Sequence, residues 1–544
     1  MPMGPLIVQS DKTALLEVDH PDAADARHDL SIFAELERAP EHIHTYRITR
    51  LGLWNARAAG HDSDFVLAIL DKYAKFPVPA AVRTDIAETM ARYGRLTIQR
   101  SSDGDLELHS ESVAVLREAA HNRKIVELLD GPVDSNTFRI RPWARGQVKQ
   151  ELLKLGWPAE DFAGYTPGTP HAIALDETGW DMRGYQRQAV DKFWEGGSGV
   201  VVLPCGAGKT IVGAGAMSVA QTSTLILVTN TVSARQWKAE LIRRTSLTED
   251  EIGEYSGSVK EVKPVTIATY QILTTKRKNE YAHLALLNAK DWGLIVYDEV
   301  HLLPAPIFKL TADLQARRRL GLTATLVRED GKEGDVFSLI GPKRFDAPWK
   351  DIEQQGYIAP AACFEVRVDL PDEERLEYAI ASLDERYRLA ATSPTKIAVI
   401  SKLLKKHAGE PTLIIGQYLD QIAAVAGALK VPQITGDTPV DERERLFQEF
   451  REGKIATLVV SKVANFSVDL PEASMAIQIS GSFGSRQEEA QRLGRLLRPK
   501  ADGRTASFYT LISRDTVDQD FAQNRQRFLA EQGYSYQILN AADL

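Results

Sequence analysis

Cysteine is nearly missing from this chain, with Cys205 and Cys363 the two in 544 residues. Two cysteines cannot build a disulfide framework or a four-ligand zinc site by themselves, and their scarcity points to a reducing compartment. An excess of positive charge is missing too. With 66 Lys+Arg against 74 Asp+Glu the formal net charge is −8, so no global basic field advertises a nucleic-acid partner and any such contact has to come from a local groove. No apolar run reaches the length of a membrane span, and the opening MPMGPLIVQSDKT has no basic stretch followed by an apolar core. These absences predict a soluble, cytoplasmic protein with no membrane partner. What remains is ordinary globular composition, 44% hydrophobic and 26% charged, over a length that predicts about three or four domains.

The chain changes grammar along its length. LIVQ, SDKT and ALLEV suggest a hairpin, followed by helical periodicity that includes Phe33–Leu36, Leu53–Trp54 and Phe65–Leu70. Residues 1–95 therefore read as a helical or α+β domain, and 96–165, with RLTIQ, DLELH and TFRIRPW around helical segments, as a small α+β unit. The Pro/Gly-containing stretch that follows predicts a linker over 166–179. From 180 onward, short apolar strands (VVVL, TLILVT, VTIAT, GLIVY) alternate with amphipathic helices, and the alternation restarts after about 360 with TLIIG, TLVVS, MAIQIS and ASFYTLIS. This predicts an α/β fold class with two parallel-sheet domains, 180–350 and 351–544, carrying ligands at the carboxyl ends of their strands.

Three motifs carry chemistry. Pro204-Cys205-Gly206-Ala207-Gly208-Lys209-Thr210 follows a buried strand and opens a helix. It matches the second half of G-x-x-x-x-G-K-[ST], although Leu203 stands where the first glycine would fall. A phosphate cradle needs inward backbone N–H groups and a helix N-terminus, both available here. Lys209 would reach the β- and γ-phosphates of ATP, and Thr210 would ligate Mg²⁺. The same residues also fit a Gly-rich turn with a solvated lysine. Asp298-Glu299-Val300-His301 ends the strand Gly293–Tyr297, placing Asp298 as a metal-site residue and Glu299 as general base, or else forming an ordinary acidic loop. Thr323-Ala324-Thr325 ends the next strand, where hydroxyls can bond the acidic motif. Gln491-Arg492-Leu493-Gly494-Arg495-Leu496-Leu497-Arg498 puts Arg495 and Arg498 on one helical face, suited to a developing phosphoryl charge or to a nucleic-acid backbone.

The ordered set Met182-Arg183-Gly184-Tyr185-Gln186, PCGAGKT, DEVH, TAT and QRLGRLLR resembles superfamily 2 helicases. More narrowly, LPCGAGKT, GLTATLVRED, VVSKVANFSVDLP and GSRQEEAQRLGRLLRPK are similar to the XPB-type (RAD25) DNA helicases in their bacterial members, and HTYRITRLGLWNARAAG and ARYGRLTI resemble the region before the motor in that family. The resemblance implies two RecA-like motor domains after an α+β N-terminal region, with Leu203 as the family's form of the loop. It implies an ATP- and Mg²⁺-dependent motor moving three-prime to five-prime on DNA, associated with duplex opening and nucleotide excision repair. It assigns Arg183 and Gln186 to adenine or loop contact and Arg495 and Arg498 to arginine fingers. Coupling falls to His301, Thr323, Thr325 and Gln491, and strand separation to the charged loop Arg328-Glu329-Asp330. DNA contacts would come from Thr229, Arg235, Gln236, Trp237, Thr269, Tyr270 and Gln271 in the first motor domain and from Asn465 and Ser467 in the second.

Where some relatives carry a thumb-like DNA-gripping insertion, this chain has the short stretch DEERLEYAIASLDERYR, six acidic residues against three arginines. The departure bears on unwinding more than on ATP hydrolysis. Other readings are therefore a translocase that moves duplex without separating strands, or a nucleotide-gated DNA clamp, either serving a partner nuclease. The motor is expected to work as a monomer on single-stranded, forked or damaged DNA.

Overall fold

The computed structural model describes residues 4–39, 42–204, 206–277, 280–281, 283–304, 307, 314–315, 317–324, 333–347, 352, 361–461, 473–481, 505–523 and 536–544. Two seven-stranded sheets dominate. The first runs Ile252–Tyr255, Val265–Thr269, Thr224–Val228, Leu294–Asp298, Arg318–Thr323, Gly199–Val202, Lys343–Asp346, with every neighbour parallel. The second runs Gln433–Ile434, Thr457–Ser461, Thr412–Gly416, Met475–Gln478, Ala506–Ser513, Ala361–Val368, Tyr536–Asn540, again all parallel. Counted along the chain, both sheets have the strand order 3-4-2-5-6-1-7. The central strands are buried on both faces, as in Thr224–Val228 and Thr412–Gly416, which is why they read as continuous apolar runs and not as alternating ones.

Two smaller sheets precede the motor. Leu6–Val8, Thr13–Glu17, Ile43–Ile48 and Ala34–Arg38 form an antiparallel sheet, whose core takes Leu53 from helix Arg50–Ala58 and Val66 and Leu70 from helix Ser63–Tyr73. The helical periodicity expected over Phe33–Leu36 is corrected here. Ala34 and Leu36 are buried while Glu35 and Glu37 are not, a period of two that belongs to a half-buried strand. The second small sheet orders Leu129–Pro132, Thr137–Ile140, Leu106–His109, Leu96–Arg100 and Ala159–Asp161.

The stretch expected as a linker is pinned to the first motor sheet and is not a free tether. Pro167 and Thr169 carbonyls accept from the Thr222 hydroxyl at 2.9 and 3.0 Å, and Thr169 N–H donates to Asp291 O at 2.8 Å. Gly168 and Gly293 leave the room for this approach, since a Cβ on Gly168 would stand 2.3 Å from Gly293 N.

Candidate nucleotide site

The site grows from the carboxyl ends of three adjacent strands. Gly199–Val202 is buried throughout, and its continuation is held by Leu203 N–H donating to Thr323 O at 2.9 Å. Leu203 is itself fully buried, so an apolar side chain at that place anchors the loop to the core where the common motif has glycine. The turn closes with Ala207 N–H on Pro204 O at 3.1 Å, and Gly206 and Gly208 take φ of +83° and +85°, a region glycine enters at no steric cost. Helix Lys209–Ala220 then leads to Thr224–Val228, which lies beyond Leu294–Asp298 and Arg318–Thr323. The loop therefore opens over a crevice at the strand ends, where α/β sheets bind ligands.

A second helix holds the loop in shape. At the start of helix Gly184–Gly196, Gln186 is 1% exposed, accepts from Arg183 N–H at 3.0 Å and donates from Nε2 to Ala207 O at 2.8 Å. The Tyr185 hydroxyl donates to the same carbonyl at 2.7 Å and accepts from Arg183 Nη1 at 3.0 Å. A Cβ on Gly208 would stand 2.4 Å from Gln186 Nε2, so the glycine is required by this close approach as well as by its φ. Gln186 thus grips the loop; Tyr185 is a loop-holding residue that sequence reasoning passed over, although it stands inside the same quoted motif.

Lys209, Glu299, His301 and Thr323 form one chain of polar contacts. Lys209 Nζ is ion-paired with Glu299 Oε1, Glu299 Oε2 lies 3.5 Å from His301 Nδ1, and that nitrogen is 2.6 Å from the Thr323 hydroxyl. Glu299 sits at φ +50°, a left-handed conformation that costs a non-glycine residue about 1–3 kcal/mol and is retained where the surroundings enforce it. Asp298 is held from the other side. Its Oδ2 accepts from Trp237 Nε1 at 3.0 Å and its carbonyl from the Tyr270 hydroxyl at 2.8 Å.

The two carboxylates are driven apart in acidity. Burial, and then the neighbouring Glu299 charge, push Asp298 up to about 6 against the opposing pull of Lys209 and Trp237. Burial also acts upward on Glu299, but the Lys209 ammonium and then His301 outweigh it and lower its pKa. A buried carboxyl short of positive charge suits a cation. Asp298 and the half-buried Thr210 hydroxyl in the first helical turn are the oxygen donors that would hold Mg²⁺. Among the described residues no group of three or more His, Cys, Asp or Glu could hold a metal ion.

The residues expected to face DNA divide. Arg235, Gln236 and Gln271 are exposed and Thr229 is half-buried. Trp237, Thr269 and Tyr270 are 2%, 4% and 4% exposed, so their side chains are turned into the domain. Trp237 and Tyr270 turn inward because each has a polar tip that finds Asp298, and the Thr269 hydroxyl caps its own helix at Ile272 N–H. Cys205, Thr325, Arg328, Glu329, Asp330, Asn465, Ser467, Gln491, Arg495 and Arg498 lie outside the described residues.

Two parallel sheets of one topology, with a lysine-bearing loop and an acidic pair at the strand ends of the first, define a motor with two RecA-like domains. The particular family follows from sequence comparison. Residues 352–543 match the ERCC3/RAD25/XPB C-terminal helicase model, 180–328 the res subunit of type III restriction enzymes, and 6–130 a helicase conserved C-terminal domain. The chain is 67% identical over 541 residues to the DNA 3'-5' helicase XPB of Kineococcus radiotolerans, covering 99% of this chain and 97% of the relative. It is 63% identical to that of Mycobacterium tuberculosis, with 99% and 98% covered. The XPB/SSL2 helicase/translocase subunit of general transcription and DNA repair factor IIH from Saccharomyces cerevisiae is 30% identical, with 98% and 72% covered. The chain belongs to the XPB (RAD25) family of superfamily 2 helicases.

Proposed function

We propose that this chain is an ATP-driven motor that travels three-prime to five-prime on DNA and opens the duplex during nucleotide excision repair, working in the cytoplasm on nucleoid DNA. The carrying observation is the polar chain Lys209–Glu299–His301–Thr323 at the ends of adjacent strands. When ATP arrives, its phosphates compete with Glu299 for the Lys209 ammonium. The carboxylate is released as general base only while substrate is in the loop, which limits water attack to the loaded site. Mg²⁺, held by Thr210 and Asp298, would neutralise phosphate charge. His301 then links the base to Thr323, so a change at Glu299 reaches the strand Arg318–Thr323, which precedes Thr325 and Arg328-Glu329-Asp330 in sequence. Arg495 and Arg498 are the proposed arginine fingers, which would make turnover depend on closure of the second domain.

A second reading, translocation without strand separation, is favoured by one observation. Helices Asp372–Ile380 and Leu383–Ala391, standing where some relatives grip DNA, carry Asp372, Glu373 and Glu374 in the first turn, a surface that repels phosphates. Such a translocase would hand DNA to a partner such as a nuclease. The test is steady-state ATPase with no nucleic acid, single-stranded DNA, forked duplex or RNA, paired with strand displacement on forks of both polarities. DNA-stimulated turnover with three-prime to five-prime displacement supports the helicase. Stimulation without displacement favours the translocase, and turnover indifferent to DNA contradicts both.

A further inference from the structure

Asp298 is held by two residues that each have one solvent-exposed neighbour in sequence, Gln236 before Trp237 and Gln271 after Tyr270. Helix Thr231–Arg244 begins at Asn230, whose side chain accepts from Ser233 N–H, and helix Tyr270–Thr274 begins at Thr269, capped in the same manner. Both helices follow strands of the first motor sheet, and their caps give each a fixed starting point. On the first, Arg235 and Gln236 are exposed and Trp237 is buried; on the second, Tyr270 is buried and Gln271 exposed. Each helix therefore presents a polar outer face and, one residue away, a donor aimed at Asp298.

Trp237 also touches the other two parts of the site. A Cβ on Gly213, in the helix that follows the phosphate loop, would stand 2.4 Å from Trp237 Cη2 and 3.5 Å from Leu322 Cδ1. The indole thus fills a space that glycine leaves between the loop's helix and the strand ending in Thr323. Packing accounts for the ring but not for its N–H, which as a buried polar tip calls for an acceptor. The N–H goes to Asp298 Oδ2 at 3.0 Å, and the Tyr270 hydroxyl to the Asp298 carbonyl at 2.8 Å. Hydrogen bonds of this length weaken steeply with angle, so a small shift of either helix turn is felt at the carboxylate.

We propose that Trp237 and Tyr270 are positioning residues through which DNA lying on Arg235, Gln236 and Gln271 sets the placement of Asp298, an inference that rests on the DNA-driven reading above. DNA on the outer faces fixes the two turns, and the turns fix the carboxylate that would hold Mg²⁺. Supports of this kind, one step removed from a metal, typically govern affinity by about 10- to 100-fold.

The test uses the full chain and the variants Trp237→Phe, which loses the N–H together with part of the indole, and Tyr270→Phe, which loses one oxygen and nothing else. A fluorescent non-hydrolysable ATP analogue is titrated with MgCl₂, with and without a single-stranded oligonucleotide, and thermal melts are recorded beside it. In the wild type, DNA is expected to lower the Mg²⁺ concentration at half-maximal binding. In Trp237→Phe that concentration rises by about 10-fold or more and no longer responds to DNA, while binding without Mg²⁺ stays at the wild-type level; Tyr270→Phe shows the same change, smaller. Should Trp237→Phe fail to fold, Tyr270→Phe decides. Variants that keep both the wild-type midpoint and its DNA response overturn the inference. A wild-type midpoint indifferent to DNA, with turnover still DNA-stimulated, overturns the inference but not the proposed function. Turnover indifferent to DNA overturns the proposed function itself.

Discussion

The two motor sheets share one strand order, and beside each a helix carries a lysine paired with a carboxylate, yet the two pairs differ in access. In the second sheet Lys396 and Asp518 are each 1% exposed and 2.9 Å apart. Lys396 also donates to Ala391 O at 3.0 Å and Ile479 O at 3.1 Å, and Asp518 Oδ2 accepts from Ser513 N–H. All three ammonium protons are thereby used. In the first sheet the side chains of Lys209 and Glu299 are 13% and 18% exposed, in a crevice, with Glu299 in a left-handed conformation. A sealed pair whose donors are all satisfied ties helix Thr395–Lys406 to its sheet; an open pair is accessible to a partner that could take the lysine. On the proposed function the same topology serves as structure in one domain and as chemistry in the other, and access decides which.

Five changes would break or sharpen that contrast. Lys209→Ala has the largest expected effect, a fall in turnover of about 100- to 1,000-fold, read by steady-state ATPase, with a melt that moves less than for Lys396→Ala. Lys396→Ala leaves Asp518 buried and unpaired, and the second motor domain should lose about 3–5 kcal/mol in denaturant unfolding. Replacing both, as Lys396→Met with Asp518→Leu, should cost less than the single change, because no charge is stranded. If Lys396→Ala lowered turnover but left unfolding untouched, the two pairs would not differ in kind.

His301→Ala cuts the path from Glu299 to Thr323 and should lower DNA-stimulated turnover by about 10-fold, measured beside a nucleotide-binding titration that stays unchanged. The smallest effect concerns a buried group beside a like charge. Burial, and then the Arg27 charge, push His44 in the N-terminal sheet from 6.5 down to about 3. Between those values the unfolded chain binds a proton that the folded one does not, so stability is complete above pH 6.5 and falls as pH drops through that window. Limited proteolysis of the N-terminal region at pH 7 and pH 5 should show acid sensitivity in the wild type and less of it in His44→Gln.

What was legible in the sequence was what is local. Gly208-Lys209-Thr210 and Asp298-Glu299 announce themselves because a phosphate loop and an acidic strand end are written in consecutive residues, and strands buried on both faces need unbroken apolar runs. The burial of Trp237 and Tyr270 is not legible in the sequence because it is decided by partners far along the chain; Gly213, 24 positions before Trp237, is a hint that a large ring needs room. The turn of Phe33–Leu36 into a strand depends on pairing with Ile43–Ile48, and the pinning of residues 167–169 depends on Thr222 and Asp291. Neither can be seen from spacing alone. The Arg145–Asp161–Lys149 cluster, with Asp161 Oδ1 2.9 Å from Arg145 Nη2 and Oδ2 2.9 Å from Lys149 Nζ, went unremarked for the same reason.

The central claim is that Glu299 becomes the general base when substrate draws Lys209 away. Glu299→Gln, assayed for ATP binding by equilibrium titration and for hydrolysis in a single turnover with DNA present, tests it most directly. The account predicts binding at least as tight as wild type, since Lys209 no longer has a carboxylate to leave, with hydrolysis reduced by about 100-fold or more. Normal hydrolysis in that variant would contradict it.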